Sequence, residues 1–391
     1  MIPSITQYYS INRFQLLLVG LWPYQQSTFT RFQFICFSLI LTTGIIFQLT
    51  PLIILKCTSN LVAKVLSSVS FYAVFVIKYN AFHFKIEVMK NLLMELQCVF
   101  NELKDEHEVA IVEEYTCIGK RYTIGLAAFG FCGLSVSILA QFWSKIFAFV
   151  ILSKNVSQPY HLHVVTEYFI DQEKYFYLIV FHMYLVFSIG GTVLIAIGAM
   201  LITYLQHTCG MFRIASYRIK HAMSFDILQN ITLKNKNLMT EGIIYAVEIH
   251  RQAMKLCKLL VSSFETMMFS LISCGVLVLS LNLFQIAVIE NSFVELFFPS
   301  FFVLATVLYM FIANYMGQIV TDHNNHIFST AYNVQWYRAP IHIQRMILFL
   351  LQRETREFTI NIGGLFNASM ECFATLVKTS VSYFTVIHST R

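Results

Sequence analysis

The chain has 391 residues, of which 57% are hydrophobic and 12% are charged, and it carries a formal net charge of +6. Its mean hydropathy is +0.64. Soluble domains are about a quarter charged, so this composition argues against a soluble enzyme or a nucleic-acid-binding protein. Because a lipid bilayer demands internal hydrogen bonding of the backbone, we expect an all-α integral membrane protein.

Seven long apolar stretches are each near or above the ~20 residues that a membrane-spanning helix needs. They occupy residues 32–55, 61–82, 122–152, 176–205, 259–289, 293–320 and 363–387. The second stretch contains Lys64 and Lys78, both close enough to its ends for the ammonium groups to extend to the headgroups. Pro51 and the pair Gly190 and Gly191 predict kinks.

The distribution of basic residues predicts the orientation of the chain. With the N-terminus in the cytoplasm, 19 of the 27 lysines and arginines fall in cytoplasmic segments and only four in extracellular ones. Seven spans then place the C-terminus outside the cell, the reverse of a G-protein-coupled receptor. Residues 1–31 lack a signal-peptide pattern and are expected to form a retained cytoplasmic segment. The segments at about 83–121 and 206–258 are interpreted as cytoplasmic extensions of the membrane helices.

One glycosylation signal agrees with this orientation. Asn155 begins an Asn-Val-Ser sequence in the loop after the third span, which is extracellular in this arrangement. The signals at Asn230 and Asn367 fall in the cytoplasm and at the membrane, so we expect them to remain unmodified. Glycosylation signals are common by chance, so the predicted orientation depends on the distribution of basic residues.

The sequence contains no motif for enzymatic chemistry. A Gly-rich phosphate loop, a zinc-protease helix motif and a nucleophile-elbow motif are all missing, so neither an enzyme nor a cofactor is predicted. The nine cysteines are scattered singly and suggest no zinc site or disulfide framework. His161 and His163, with Glu167 and Asp171, are interpreted as a solvated loop rather than a metal site, which needs a defined ligand geometry.

The last apolar stretch carries a polar stripe at helical spacing. The stripe consists of Glu371, Thr375, Lys378 or Thr379, Ser382, Thr385 or Val386, and Ser389. Polar groups facing lipid are costly, so such a stripe is typical of a helix that faces protein or a water-filled path. The alternative is that the hydroxyls bond to a neighbouring helix or to their own backbone.

Aromatic residues are concentrated in the predicted outer halves of several spans. The candidates for a ligand site are Phe71, Tyr72, Phe75, Phe142, Trp143, Tyr177, Phe181, Tyr184, Phe301 and Phe302. If their helices surround one cavity, that cavity would suit a small volatile or lipid-like ligand. Helix packing and an interfacial aromatic belt would explain the same residues without a ligand.

Four short motifs occur in a recognisable order along the chain. They are Gly20-Leu21-Trp22-Pro23, Ala331-Tyr332 with Trp336-Tyr337, Gly363-Gly364-Leu365-Phe366, and Ser382-Tyr383-Phe384-Thr385. With the reversed seven-span layout, the chain resembles an insect odorant receptor. The resemblance covers the whole chain in layout, although its sharpest motifs lie in the last ~60 residues.

The resemblance implies a ligand-gated, non-selective cation channel with four subunits around one pore, in the plasma membrane of olfactory sensory neurons. A tuning subunit of this kind assembles with the family's co-receptor. Residues 32–320 would form spans one to six, with the ligand pocket in their outer halves. Residues 321–362 would belong to a cytoplasmic anchor, and residues 363–391 would form the pore-lining helix and the extracellular C-terminus.

The resemblance also implies roles for particular residues of the last helix. Val386 falls on the apolar gate position, Thr390 lies one turn further out, and Ser382 and Ser389 flank the gate. The chain departs from the family pattern at residues 355–358, which lack the proline that often precedes the last span, and at Thr390, which is polar where the co-receptor is apolar.

Three other classes of membrane protein are weighed against this one. A gustatory-receptor-like channel is less compatible because the ending lacks the Gln-Phe typical of that family. A metabotropic seven-helix receptor requires the opposite charge asymmetry. A transporter would be expected to show inverted repeats or paired broken helices, and the sequence shows none.

Overall fold

The computed structural model describes residues 9–151, 165–172, 174–224, 232–289, 293–352 and 358–389, with side chains for all of these except 140–151 and 293–294. The described chain is almost entirely helical. Its helices are α1 (Ser10–Leu18), α2 (Thr28–Leu49), α3 (Pro51–Ile54), α4 (Ser59–Phe84), α5 (Ile86–Glu102), α6 (Glu106–Ile151), α7 (Phe176–Ala222), α8 (Leu233–Val288), α9 (Phe293–Asn333), α10 (Ile341–Gln352) and α11 (Met370–Ser389). A 3₁₀ turn at Trp336–Arg338 follows α9.

Six helical segments of the described chain are long and apolar enough to cross a membrane. They are Thr28–Ile54, Ser59–Phe84, Glu106–Leu139, Phe176–Ala222, Leu233–Val288 and Glu295–Asn333. They correspond to the first six stretches predicted from the sequence. The all-α membrane fold is therefore confirmed, and α11 is the seventh, less apolar helix.

Two of these helices are much longer than a bilayer is thick. α7 has 47 residues and α8 has 56, which correspond to about 70 and 84 Å at 1.5 Å per residue. The hydrocarbon core of a bilayer is only ~30 Å thick. Both helices are therefore much longer than a membrane span requires, and α7 ends and α8 begins within the segment 206–258 that was interpreted as cytoplasmic extensions.

The predicted kinks have different outcomes. At Pro51 the helix breaks: α2 ends at Leu49 and α3 begins with the proline, whose ring nitrogen cannot donate a helical hydrogen bond. At Gly190 and Gly191 α7 continues without interruption. Gly190 instead permits close packing, because a Cβ there would lie 2.1 Å from the Phe75 ring.

α7 is the central helix of the bundle. It contacts α1, α2, α4, α6, α8 and α9, and its buried residues continue along its whole length. The other long helices are thus arranged around α7.

The last predicted span begins later than the sequence indicated. Residues 363–387 were expected to be one helix, but α11 starts at Met370. Gly363 and Gly364 have φ angles of +66° and +69°, in the left-handed region that glycine tolerates best. They turn the chain between β1 (Asn361–Ile362) and β2 (Phe366–Asn367), which pair antiparallel. The Gly-Gly-Leu-Phe motif is therefore a hairpin in front of the helix.

Candidate functional site

The last helix leaves most of its surface open. Only Leu376 and Ser380 are buried among its twenty residues. α11 packs on α8 and α9, and the Ser280 hydroxyl on α8 donates a hydrogen bond to the Ser380 carbonyl oxygen at 3.0 Å. One narrow seam therefore attaches the helix to its own subunit.

The polar stripe lies on the open side of α11, and its hydroxyls are satisfied within the helix. They donate to backbone carbonyl oxygens at 2.8–3.0 Å from Thr375, Thr379, Ser382, Thr385 and Ser389. The alternative of bonding to their own backbone is thus realised. The hydroxyls alone do not require water on this side.

The charged residues of the stripe, unlike its hydroxyls, do require a polar environment. Glu371 and Lys378 are both exposed, and neither forms an ion pair with another described residue. A charge that faces hydrocarbon is costly, so it normally faces a water-filled cavity or a partner. The open side of α11 is therefore suited to water or to another subunit rather than to lipid.

Three of the four predicted gate residues lie on this open side. Ser382, Val386 and Ser389 are exposed, and Val386 exposes 59% of its surface. Thr390 lies outside the described residues. The spacing of the three along one side of the helix agrees with the arrangement that the sequence predicts.

The hairpin fixes the entry to α11 against two longer helices. The Gly363 N–H donates to the Glu265 carboxylate of α8 at 2.9 Å, so this carboxylate binds the backbone of the hairpin. On the other side, a Cβ at Gly317 of α9 would lie 2.4 Å from the Ala368 carbonyl oxygen. This close approach holds the start of α11 next to α8 and α9.

An aromatic cluster fills the space between α4, α7 and α9. We define the aromatic cluster as Phe71, Tyr72, Phe75, Phe187, Phe301 and Phe302. The ring centroids of Phe71 and Phe302 lie 4.5 Å apart, and those of Phe71 and Phe187 lie 6.4 Å apart. Phe187 also faces Phe75 at 6.2 Å and Phe301 at 6.5 Å. The cluster is a continuous apolar surface shared by three helices.

Five of the ten predicted ligand residues belong to this cluster, and the others are placed differently. The Tyr184 hydroxyl donates to the Ser137 carbonyl oxygen of α6 at 2.8 Å, beside the cluster. Tyr177 and Phe181 each expose 65% of their surface and lie on the outside of α7. The side chains of Phe142 and Trp143 lie outside the described part of the chain.

The sequence prediction missed Phe187, although it follows Tyr184 by three residues and so lies on the same side of α7. It also misjudged Lys78. Lys64 does reach an exposed partner, since its Nζ lies 3.8 Å from Glu295. Lys78 was expected to extend to the headgroups as well, but it is 2% exposed. Lys78 lies two turns along α4 from Phe71, and this spacing was the sequence signal that both residues lie on the same side of the helix.

A polar junction connects the C-terminal part of α7 with the start of α6. Arg218 near the end of α7 donates from Nε to Glu108 of α6 at 2.6 Å and from a terminal nitrogen to the same carboxylate at 2.9 Å. Asp105 accepts hydrogen bonds from the His107 N–H and the Tyr217 hydroxyl. Burial would raise the pKa of Asp105, but these hydrogen bonds lower it overall.

The described residues contain no group of three or more His, Cys, Asp or Glu placed to hold a metal ion. His161, His163 and the glycosylation candidate Asn155 lie outside the part of the chain that the structure describes. The nine cysteines are all free.

Comparison with known protein families gives a match over most of the chain. A family model described as "7tm Odorant receptor" matches residues 58–381. Odorant receptor 33b of Drosophila melanogaster is 28% identical over 156 residues, which are 39% of this chain and 41% of that receptor. Odorant receptor 9a of the same fly is 21% identical over 198 residues, 51% of this chain and 48% of that receptor. The chain thus spans less than half the length of these curated relatives.

Solved structures show the same fold over nearly the whole chain. The insect olfactory receptor OR5 from Machilis hrabei in complex with eugenol is similar with a TM-score of 0.76 and 13% identity, covering 99% of this chain and 98% of that one. A second structure of that receptor gives a TM-score of 0.77 and 12% identity, with 98% of both chains covered.

Proposed function

We propose that this chain, which belongs to the 7tm odorant receptor family, is the ligand-binding subunit of an odorant-gated cation channel. It is a multi-pass membrane protein of this family. The proposal adds a pore lined by α11, a tetramer formed with the family's co-receptor, and a pocket for a small volatile or apolar molecule.

The open side of α11 is the observation that carries the pore. A single subunit buries only Leu376 and Ser380 of this helix and leaves Glu371 and Lys378 exposed. Four such helices around one axis would give the charged residues water instead of lipid. Val386 would close the axis by dewetting, between Ser382 and Ser389, with Thr390 one turn further out.

The aromatic cluster is the proposed ligand site. Rings from three helices supply apolar contact area, and the Tyr184 hydroxyl lies nearby. The structurally similar receptor OR5 binds eugenol, a small aromatic molecule, which supports the same class of ligand here. A ligand that binds the open arrangement better would shift the population toward open channels. Phe142 and Trp143 remain proposed members of the site.

The proposed setting is the plasma membrane of olfactory sensory neurons, with the N-terminus in the cytoplasm. The segment 321–362 and the extensions at 83–121 and 206–258 would then form a cytoplasmic anchor between subunits. Asn155→Gln tests the orientation, because loss of a glycan-dependent mobility shift in this variant would place the loop outside the cell. A shift that persists in the variant would contradict the assignment of that site.

Cysteine accessibility tests the pore directly. In cells that express this chain with the co-receptor, Ser382→Cys should make ligand-evoked current sensitive to a membrane-impermeant thiol reagent added outside. Ser380→Cys is the matched control, because Ser380 is the same residue type on the buried side of the same helix. The parent channel must first be insensitive, since it contains free cysteines.

Two results would contradict the proposal. Equal modification of both variants without any effect on current would place α11 outside the conduction path. Current that depends on G-protein function would favour a metabotropic receptor instead. Block of the Ser382→Cys channel alone would support the pore.

A further inference from the structure

Lys78 is a buried cation between three membrane helices. Its side chain on α4 is 2% exposed. Its Nζ donates to the Leu194 carbonyl oxygen of α7 at 3.3 Å and lies 5.0 Å from the centre of the Tyr309 ring of α9. An ionisable side chain inside the membrane region is costly and is a candidate for function by default.

The protein compensates this cation only in part. Lys78 forms no ion pair with any residue that the structure describes. An ammonium has three donors, and the described chain supplies one hydrogen-bond acceptor and one ring face. A desolvated charge without an opposite charge is expensive to keep, so packing alone gives no reason for a lysine at this position.

The ammonium lies next to the inner end of the aromatic cluster. Phe75 packs against Gly190, and Leu194 follows Gly190 by one turn, about 6 Å along α7. The same seven-residue step leads inward on all three helices: from Phe71 to Lys78, from Phe187 to Leu194 and from Phe302 to Tyr309. A layer containing the cation therefore lies within two turns, about 10 Å, of the outer rings.

The ammonium also contacts α7 one turn beyond Leu194. A Cβ built at Gly198 would lie 3.6 Å from the Lys78 Nζ, so the ammonium lies beside the α7 backbone at this glycine. A Lys side chain on a helix also points back toward the N-terminal turn, which here contains Phe75. Its contacts place Nζ against the turn of α7 from Leu194 to Gly198, about one turn inward of the Gly190–Phe75 contact.

We infer that Lys78 binds the carboxylate of a small volatile monocarboxylic acid, whose hydrocarbon part contacts the aromatic cluster. This inference rests on the proposed function, since it names the ligand class of the same site. A carboxylate supplies the charge and the acceptors that the protein lacks around Nζ. An apolar body up to about 10 Å long matches the two turns between the cation and the outer rings.

Binding to the purified protein tests the inference without reference to gating. Hexanoate and methyl hexanoate are titrated against the chain in detergent, and thermal stabilisation gives a dissociation constant for each compound. Hexanoate should bind at least about tenfold more tightly than the ester, the lower range for a hydrogen bond to a charged group. Lys78→Met should remove this preference, and Lys78→Arg should retain it.

Lys64→Met is the matched control, because Lys64 is a partly exposed lysine on the same helix. It should leave the preference for hexanoate unchanged. If the wild-type chain binds hexanoate no better than the ester, or if Lys78→Met retains the preference, the inference is overturned. The wild-type comparison decides the matter even where Lys78→Met does not fold.

Currents recorded with the co-receptor separate this inference from the proposed function. Stabilisation by hexanoate that depends on Lys78, without any evoked current, would support the acid site and contradict the channel. Currents evoked by other odorants, together with no hexanoate binding, would support the channel and contradict the acid site.

Discussion

α7 and α11 are both helices of the bundle, and the subunit surrounds them to very different extents. α7 is in contact with six other helices and has buried residues along its whole length. α11 buries two residues and is attached along one narrow seam. The difference separates a helix that this chain positions by itself from one that the proposed tetramer would surround. Substitutions in α7 should therefore affect folding, and those on the open side of α11 should affect conduction.

Arg218→Met, near the end of α7, is expected to destabilise the fold strongly. The substitution leaves the Glu108 carboxylate, which is 7% exposed, without its guanidinium partner. Removing one partner of a buried pair costs about 3 kcal/mol of unfolding free energy. Denaturant unfolding in detergent measures the loss. Lys255→Met is the control, since its pair with Glu95 is exposed on both sides and contributes at most about 1 kcal/mol. Similar losses in both variants would be inconsistent with this account.

Gly190→Ala and Gly191→Ala are the same change at adjacent positions of α7. We expect the first to lower the free energy of unfolding and the second to raise it. A Cβ at Gly190 would lie 2.1 Å from the Phe75 ring, whereas Gly191 has open space around it. Overpacking at Gly190 should cost about 1–3 kcal/mol, partly offset by helix propensity. Gly191→Ala should gain up to about 1 kcal/mol. The same unfolding measurement applies, and a loss at Gly191 would show that its surroundings are not open.

The glycines show what the sequence could predict about the fold and what it could not. Hydrophobic length located six helices, because span length depends on bilayer thickness and not on partners. The roles of the glycines depend on neighbours distant in sequence. Gly190 faces Phe75 across a helix interface. Gly363 has a left-handed backbone conformation, and its N–H donates a hydrogen bond to Glu265 of α8. Neither contact leaves a pattern in the sequence around the glycine.

The candidate site also has a part that the sequence could predict and a part that depends on packing. The stripe on α11 was predictable because helical periodicity alone places its members on one side. The ligand residues were only partly predictable. Phe71 and Phe302 meet across two helices, while Phe181 lies on the outside of α7. The sequence shows which residues are aromatic, but the side of α7 that faces α4 and α9 is decided by packing. Lys78 was misplaced for the same reason.

Phe187→Ala should weaken the response to an apolar agonist by about tenfold, equivalent to about 1.4 kcal/mol, if the aromatic cluster binds the ligand. Phe187 faces four rings of the cluster from α7. Phe181→Ala removes the same side chain from a position that is 65% exposed and should leave potency unchanged. Dose–response curves at equal surface expression measure the difference. A larger effect of Phe181→Ala would move the binding site to the outside of α7.

Val386→Ser is expected to have the smallest effect on folding and a clear effect on conduction. Val386 is 59% exposed, so its replacement should change the unfolding free energy by no more than about 0.5 kcal/mol. A hydroxyl at an apolar constriction favours water in the pore and should raise the current recorded without ligand. Leu376→Ala is the comparison on the buried side of the same helix. Leu376 is buried, so its truncation should lower the unfolding free energy by about 2–5 kcal/mol.

The two α11 variants together decide whether the open side belongs to the pore. If Val386→Ser lowers stability as much as Leu376→Ala does, the open side is covered within the subunit and cannot face a shared axis. If stability is unchanged and the ligand-free current is also unchanged, the side faces something other than the conduction path. The proposed pore predicts a third result for Val386→Ser: unchanged unfolding free energy together with an increased ligand-free current. This is the result expected if four copies of α11 surround a water-filled axis with their open sides.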